Sequence, residues 1–156
     1  IETRNLYQRS TVFKNSNSDE RNIHIGLDLW INESAPIHAA LDGTIHSFQN
    51  NTALGDYGPT IILSHEIEGI KFHTLYGHLS EASLIGKKVG DIIKKGEQIA
   101  TLGLPPINGD YAPHLHFQII IDMEGKNGDY PGVCSEKTLS FYKLNCPDPN
   151  LLLKIH

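Results

Sequence analysis

His114 and His116 stand two positions apart in Pro113-His114-Leu115-His116-Phe117, and on an extended strand such residues point to the same face. That face can hold a metal ligand and a proton-transfer group side by side. Far upstream, His24-Ile25-Gly26-Leu27-Asp28 repeats the alternation and predicts His24, Gly26 and Asp28 on one side of an extended segment. Two imidazoles and one carboxylate make the three-ligand set of a catalytic zinc site with one position left for water. The sequence therefore predicts one Zn2+ held by His24, Asp28 and His116.

With nine His and nine Asp in 156 residues, each spacing arises by chance about once in two such chains, so neither string decides alone. His38 and Asp42 have the same separation as His24 and Asp28, yet Asp42-Gly43 lies between two apolar runs and reads as a hairpin turn. Gly26, by contrast, removes the one side chain that would stand between the two ligands.

The elements that must position these residues are short. Apolar runs rich in β-branched residues, Pro36 to Leu41, Thr44 to Phe48, Thr60 to His65, Ile70 to Tyr76, Ile99 to Leu102 and Leu115 to Ile121, are separated by glycine-bearing turns. Two hairpins are expected, around Asp42-Gly43 and around Glu66-Ile67-Glu68-Gly69. No window shows a sustained apolar stripe at helical period, so helix is confined to pieces such as Glu81 to Leu84. Two very short strands are expected between Gly86 and Glu97. The fold class is thus mainly β, an antiparallel sheet with little helix. Residues 1–22 read as a polar lead-in and 23–156 as a single domain, with an irregular tail from Gly125 until Leu151 to Leu153.

A net charge of -5, with the basic pairs Lys87-Lys88 and Lys94-Lys95 beside turn glycines, argues against a nucleic-acid partner. No apolar run approaches the roughly 20 residues of a membrane span. Cys134 and Cys146 lie outside any zinc-type CxxC pair and read as free thiols as readily as a disulfide.

His78, in Leu75-Tyr76-Gly77-His78-Leu79-Ser80, ends the second strand of the later hairpin, where strands meet loops. His65 and His73 are expected to face each other across that hairpin in structural or surface positions; His46 and His156 have no evident partner. The ordered set HxGxD, YGHLS, a run of glycine turns and PHLHF resembles the lysostaphin/LytM-type zinc endopeptidases, family M-23 of the metallopeptidases, over roughly residues 23–121. The resemblance implies that His24, Asp28 and His116 bind zinc and that His78 and His114 are the catalytic histidines. It also implies an antiparallel core of the duplicated-hybrid-motif kind, with a groove for a peptide or a peptidoglycan cross-link. The implied chemistry is metal-assisted hydrolysis in which a histidine takes the water proton, since no HExxH helix supplies a glutamate base.

The chain departs from that pattern in the approach to the last motif, Gly103 to Ala112, and in carrying Gln118 where a glutamate commonly follows HLHF. No tyrosine stands a few residues before His24. The strings Leu54 to Leu63, Asp129 to Val133 and Cys146 to Asn150 look like the peptidase-like domain embedded between phosphotransferase-like and class III aminotransferase domains. That likeness implies flanking domains and a cytoplasmic setting, and a zinc-retaining peptide-binding module as the alternative function. Without it, a periplasmic or extracellular setting is expected. His24→Ala is expected to abolish metal binding and His38→Ala to leave it intact, which elemental analysis of the two variants checks.

Overall fold

A computed structural model describes residues 20–32 and 34–155. The ten strands among them are β1 (Ile23–His24), β2 (Leu27–Trp30), β3 (Pro36–His38), β4 (Gly43–Asn51), β5 (Gly58–Ile67), β6 (Ile70–Gly77), β7 (Ile92–Ile93), β8 (Gln98–Thr101), β9 (His114–Ile120) and β10 (Val133–Cys134). Six of them form an antiparallel sheet in the order β2-β9-β6-β5-β4-β7, while β1 pairs with β10 and β3 with β8. The mainly β, antiparallel expectation holds. So does the hairpin of β5 and β6, closed at Ile67↔Ile70 by Glu68 and Gly69, both at positive φ as a two-residue turn requires.

Alternation along the sheet separates apolar packing from chemistry. In β9, Leu115, Phe117 and Ile119 pack with Ile61, Leu63 and Tyr76 in the main core. His114, His116, Gln118 and Ile120 must then occupy the opposite face. Cross-strand register extends that face: Asp28 lies opposite His116, Trp30 opposite His114, and Gly77 opposite His116 on the other side. Farther along it, Ile62, Leu75 and Ile120 form a second core with Ile25, Tyr57, Tyr130 and the two cysteines. Both thiols are buried and free.

Several local expectations fail for reasons of long-range pairing. Asp42-Gly43 joins no hairpin, because β3 pairs with β8 while β4 pairs with β5 and β7. The His24–Asp28 segment is not one extended strand. It breaks at Gly26 (φ +96), so His24 belongs to β1 and Asp28 to β2. His65 and His73 do not face each other, since His73 lies opposite Ser64 and His65 opposite Phe72, which puts the two rings on opposite faces. Of the two strands expected between Gly86 and Glu97, only β7 forms, and the tail carries two helices, α1 (Leu139–Asn145) and α2 (Asn150–Leu153). Residues 1–19 of the expected lead-in, and His156, lie outside the described residues.

A Cβ on Gly26 would sit 2.8 Å from the Phe117 carbonyl oxygen and 2.9 Å from His116 Nε2, on a backbone that L-residues rarely adopt. Gly86 shares the positive φ, but nothing lies within 4 Å of its position. Gly26→Ala is therefore expected to lower stability by about 1–3 kcal/mol more than Gly86→Ala, which carries only the backbone term of about 1–2 kcal/mol. Urea unfolding of the two variants measures the difference; equal losses would show that the space beside His116 is not restrictive.

Candidate metal centre and the histidine pair beside it

Three side-chain atoms from three strands meet at one point. His116 Nδ1 lies 3.0 Å from Asp28 Oδ1 and 3.1 Å from His24 Nε2, and His24 Nε2 lies 3.1 Å from Asp28 Oδ1. A tetrahedral ion with bonds of about 2.0–2.1 Å holds its ligand atoms roughly 3.3 Å apart, so this near-equilateral triangle of two nitrogens and an oxygen fits a divalent cation such as zinc. Among the described residues, His24, Asp28 and His116 form the one group of three whose donor atoms converge in this way. The decoy pair is otherwise engaged: Asp42 accepts the Lys95 backbone N–H at 2.7 Å and lies 3.7 Å from the Lys94 ammonium.

Each ligand is placed by backbone pairing. The β2–β9 register sets Asp28 beside His116, and β1 brings in His24 through its ladder to β10, reinforced by Ile25 N–H donating to Gly132 O at 2.8 Å. Burial alone would raise the Asp28 carboxyl, but the imidazoles of His116 and His24, within hydrogen-bond distance of it and positively charged when protonated, outweigh burial and hold the group well below the usual carboxylate range.

His78 and His114 stand together at the edge of this cluster with ring centroids 4.3 Å apart. Both are buried. Each donates its Nδ1–H to a backbone carbonyl at 2.7 Å, His78 to Asn108 and His114 to Ala112, which leaves Nε2 as the lone-pair nitrogen of both rings. His114 Nε2 faces the ligand cluster, 3.8 Å from Asp28 Oδ2. Burial, then the neighbouring His114 and His116, pushes His78 down to about 3, and burial lowers His114 as well. Two neutral imidazoles thus border the three ligands. All five residues singled out from the sequence come together.

The residues that sequence reasoning passed over are aromatic. Trp30, the only tryptophan of the chain, is 67% exposed and lies against His114 with centroids 4.8 Å apart and planes tilted 32°. Tyr111 packs edge-on to both His78 and His114 while its hydroxyl donates to Gly55 O. Tyr57 fills the space over Gly77, where a Cβ would come 2.8 Å from its ring, and stacks behind His116. Alternation from Asp28 was signal enough to find Trp30; nothing local pointed to Tyr57 or Tyr111. Together these groups line a cleft of about 230 Å³ that continues to Asp56, Asp129 and Tyr130. Burial raises the Asp56 carboxyl to about 6 and shifts Asp129 the same way.

Histidines kept neutral by burial make stability depend on acid. Between the folded value of about 3 and the ordinary 6.5, the unfolded chain binds a proton at His78 that the folded chain refuses, so its stabilisation is full above 6.5 and is lost as pH falls toward 3. His46, His65, His73 and His114 act in the same sense. Asp56 opposes them, its contribution fading as pH rises from 3.8 through about 6. The metal-free protein is expected to lose urea resistance from about pH 7 to about pH 5, and His78→Gln to flatten that slope. A midpoint that does not move over this range would contradict the neutral state of the buried rings.

Comparisons with known proteins agree with this geometry. The model of Peptidase family M23 matches residues 22–129. A protein of Haemophilus influenzae named "Uncharacterized metalloprotease" is 35% identical over 104 residues, 67% of this chain; the chain spans only 20% of that relative's length. The catalytic domain of the antimicrobial peptidase lysostaphin from Staphylococcus simulans superposes with a TM-score of 0.52 at 28% identity, covering 77% of this chain and 79% of that one. The catalytic domain of a prophage-encoded protein from Enterococcus faecalis shares the fold, with a TM-score of 0.53 at 21% identity over 77% of this chain and 87% of its own. With its fold, its converging ligand atoms and most of its length matched by the family model, this chain belongs to Peptidase family M23.

Proposed function

We propose that this chain is a zinc endopeptidase, with His24, Asp28 and His116 as metal ligands, His78 and His114 as catalytic histidines, and a peptide or peptidoglycan cross-link as substrate. The observation that carries the reading is the triangle of Nε2, Oδ1 and Nδ1 atoms within 3.1 Å, beside two rings whose Nε2 atoms carry no proton. A bound zinc ion would supply Lewis acidity, polarising a carbonyl and lowering the pKa of a water to about 7.

The remaining chemistry belongs to the chain. His114 Nε2, beside the ligand cluster, is within reach of a water there and accepts its proton. The proton then has one destination, the departing amine nitrogen. A ring 4.3 Å from a second imidazole is a poor place to keep a second positive charge, so the His78/His114 pair carries one proton at a time and returns it once the C–N bond breaks. The carbonyls of Asn108 and Ala112 keep both rings in the tautomer that permits this. Trp30 and Tyr111 form aromatic walls against which an extended peptide lies over the ligands.

Cleavage of a panel of oligoglycine and peptidoglycan stem peptides, with zinc content measured in parallel, tests the reading. His116→Ala is expected to lose both metal and turnover. His114→Ala and His78→Ala are expected to keep zinc and lose turnover by roughly 100- to 10,000-fold, the range of general acid–base contributions. Because Trp30 is the sole tryptophan and borders the ligands, its fluorescence reports peptide binding separately from cleavage. A fluorescence change with no cleavage of any peptide would favour a binding module over an enzyme; a metal-free His114→Ala protein would break the division of roles.

A further inference from the structure

Gln118 is the one fully buried amide on the site face of β9, at 0% exposure, and its two ends meet groups of opposite character. Its Oε1 lies 3.0 Å from His116 Nε2, and its Nε2 lies 3.2 Å from the Pro131 carbonyl oxygen and 3.3 Å from Cys146 Sγ. A backbone carbonyl only accepts, so the NH2 end of the amide must face Pro131. The Oε1 end then faces His116 and, because it too only accepts, calls for the imidazole proton on His116 Nε2; Asp28 Oδ1, 3.0 Å from Nδ1, is the competing acceptor unless a cation stands between them. Tyr57 Oη, 3.4 Å from the same nitrogen, shares that proton as a second acceptor. A neutral imidazole protonated on Nε2 has a bare lone pair on Nδ1, the atom that meets Asp28 and His24.

We infer that Gln118, anchored by Pro131 and Cys146, is the positioning residue of the metal centre, fixing His116 in the Nε2–H tautomer and so presenting its Nδ1 lone pair to the cation. The inference rests on the reading that His24, Asp28 and His116 hold a metal. It accounts for an amide at this position. A carboxylate would accept from His116 equally well but would leave the half-buried Pro131 carbonyl without its donor, and would set oxygen against oxygen there. It also gives the residues beyond the family-matched segment a task. Pro131 and Cys146 orient the ligand His116 through Gln118, while β10 carries β1 and hence the ligand His24.

Two measurements separate this proposal from the metal reading. Long-range nitrogen–proton NMR correlations on the metal-free protein at alkaline pH, where imidazole is neutral, report the His116 tautomer directly. A larger Nε2–H share is expected in the native chain than in Gln118→Leu, where Asp28 draws the proton to Nδ1 with no amide opposing it. A chelator competition then gives zinc affinity: Gln118→Leu is expected to bind roughly 10- to 100-fold more weakly, the usual effect of losing a partner behind a ligating histidine. Gln118→Glu keeps an acceptor toward His116 and is expected to restore the tautomer and most of the affinity, yet to unfold at a lower temperature than the native chain. A purely structural role would lower thermal stability in both variants and leave the tautomer unmoved. An equal Nε2–H share in Gln118→Leu and the native chain, or equal zinc affinity in the two, would overturn the proposal. Equal affinity in native and His24→Ala proteins would instead sink the metal reading, while the tautomer measurement still judges Gln118.

Discussion

The site depends on one antiparallel register, that of β2 against β9. Asp28 opposite His116 brings carboxylate and imidazole to 3.0 Å, and the same ladder sets Trp30 against His114 two residues away. Side chains in a strand alternate with period two, so a slip of one residue would exchange His114 and His116 for Leu115 and Phe117 and bury the ligands in the main core. The apolar face therefore guards the chemistry. Phe117 and Leu115 sit in a core with Tyr76, Ile61 and Leu63, and the loss of that burial on slippage is what holds the histidines on the other side.

The second constraint is that the two rings beside the candidate ligands, His78 and His114, are not left to choose their own tautomers. His78 and His114 each give their Nδ1 proton to a loop carbonyl, so Nε2 of each ring is left as an acceptor. The two carbonyls come from the segment between β8 and β9. The backbone can do this whatever the side chains of the loop are. His78 itself takes a positive φ of 60, held by its N–H to Tyr57 O and by its carbonyl accepting from Gly103. A left-handed residue fixed from both sides beside the candidate metal centre is strain that the surrounding bonds over-determine.

What the sequence made legible was whatever depends on local period or local turn chemistry. The Leu115–Ile121 alternation, the Glu68-Gly69 hairpin and the short turn at Glu81–Leu84 appear as expected. What it concealed depends on pairing across the chain. His24 and Asp28 come together because Gly26 turns the chain between two sheets, so reading the segment as one strand reached the right pair through the wrong geometry. Asp42-Gly43 looks like a hairpin turn, but Gly43 begins beside the Ser64 carbonyl and His65 ring, which commits the strand after it to β5. Tyr57 and Tyr111 act through contacts 59 and 3 residues away in sequence, to His116 and His114, and neither contact follows a repeating pattern.

The three ligands differ in what must fold before they meet. Asp28 and His116 are joined by β2 and β9 alone, within the sheet. His24 joins only when β1 pairs with β10, a contact that spans Ile23 to Cys134 and cannot form until the chain beyond residue 129 has docked. Closing so long a loop carries an entropic cost that grows slowly with length but is met only when the last contacts form. A cation held by all three, as proposed, would add its binding energy to that late step, because it would bind the closed triangle and have no comparable site in the open chain. On that proposal, metal and C-terminal segment would stabilise each other. The second core, in which Ile25 packs with Tyr130, Cys134 and Cys146 behind the ligands, is the apolar half of the same coupling.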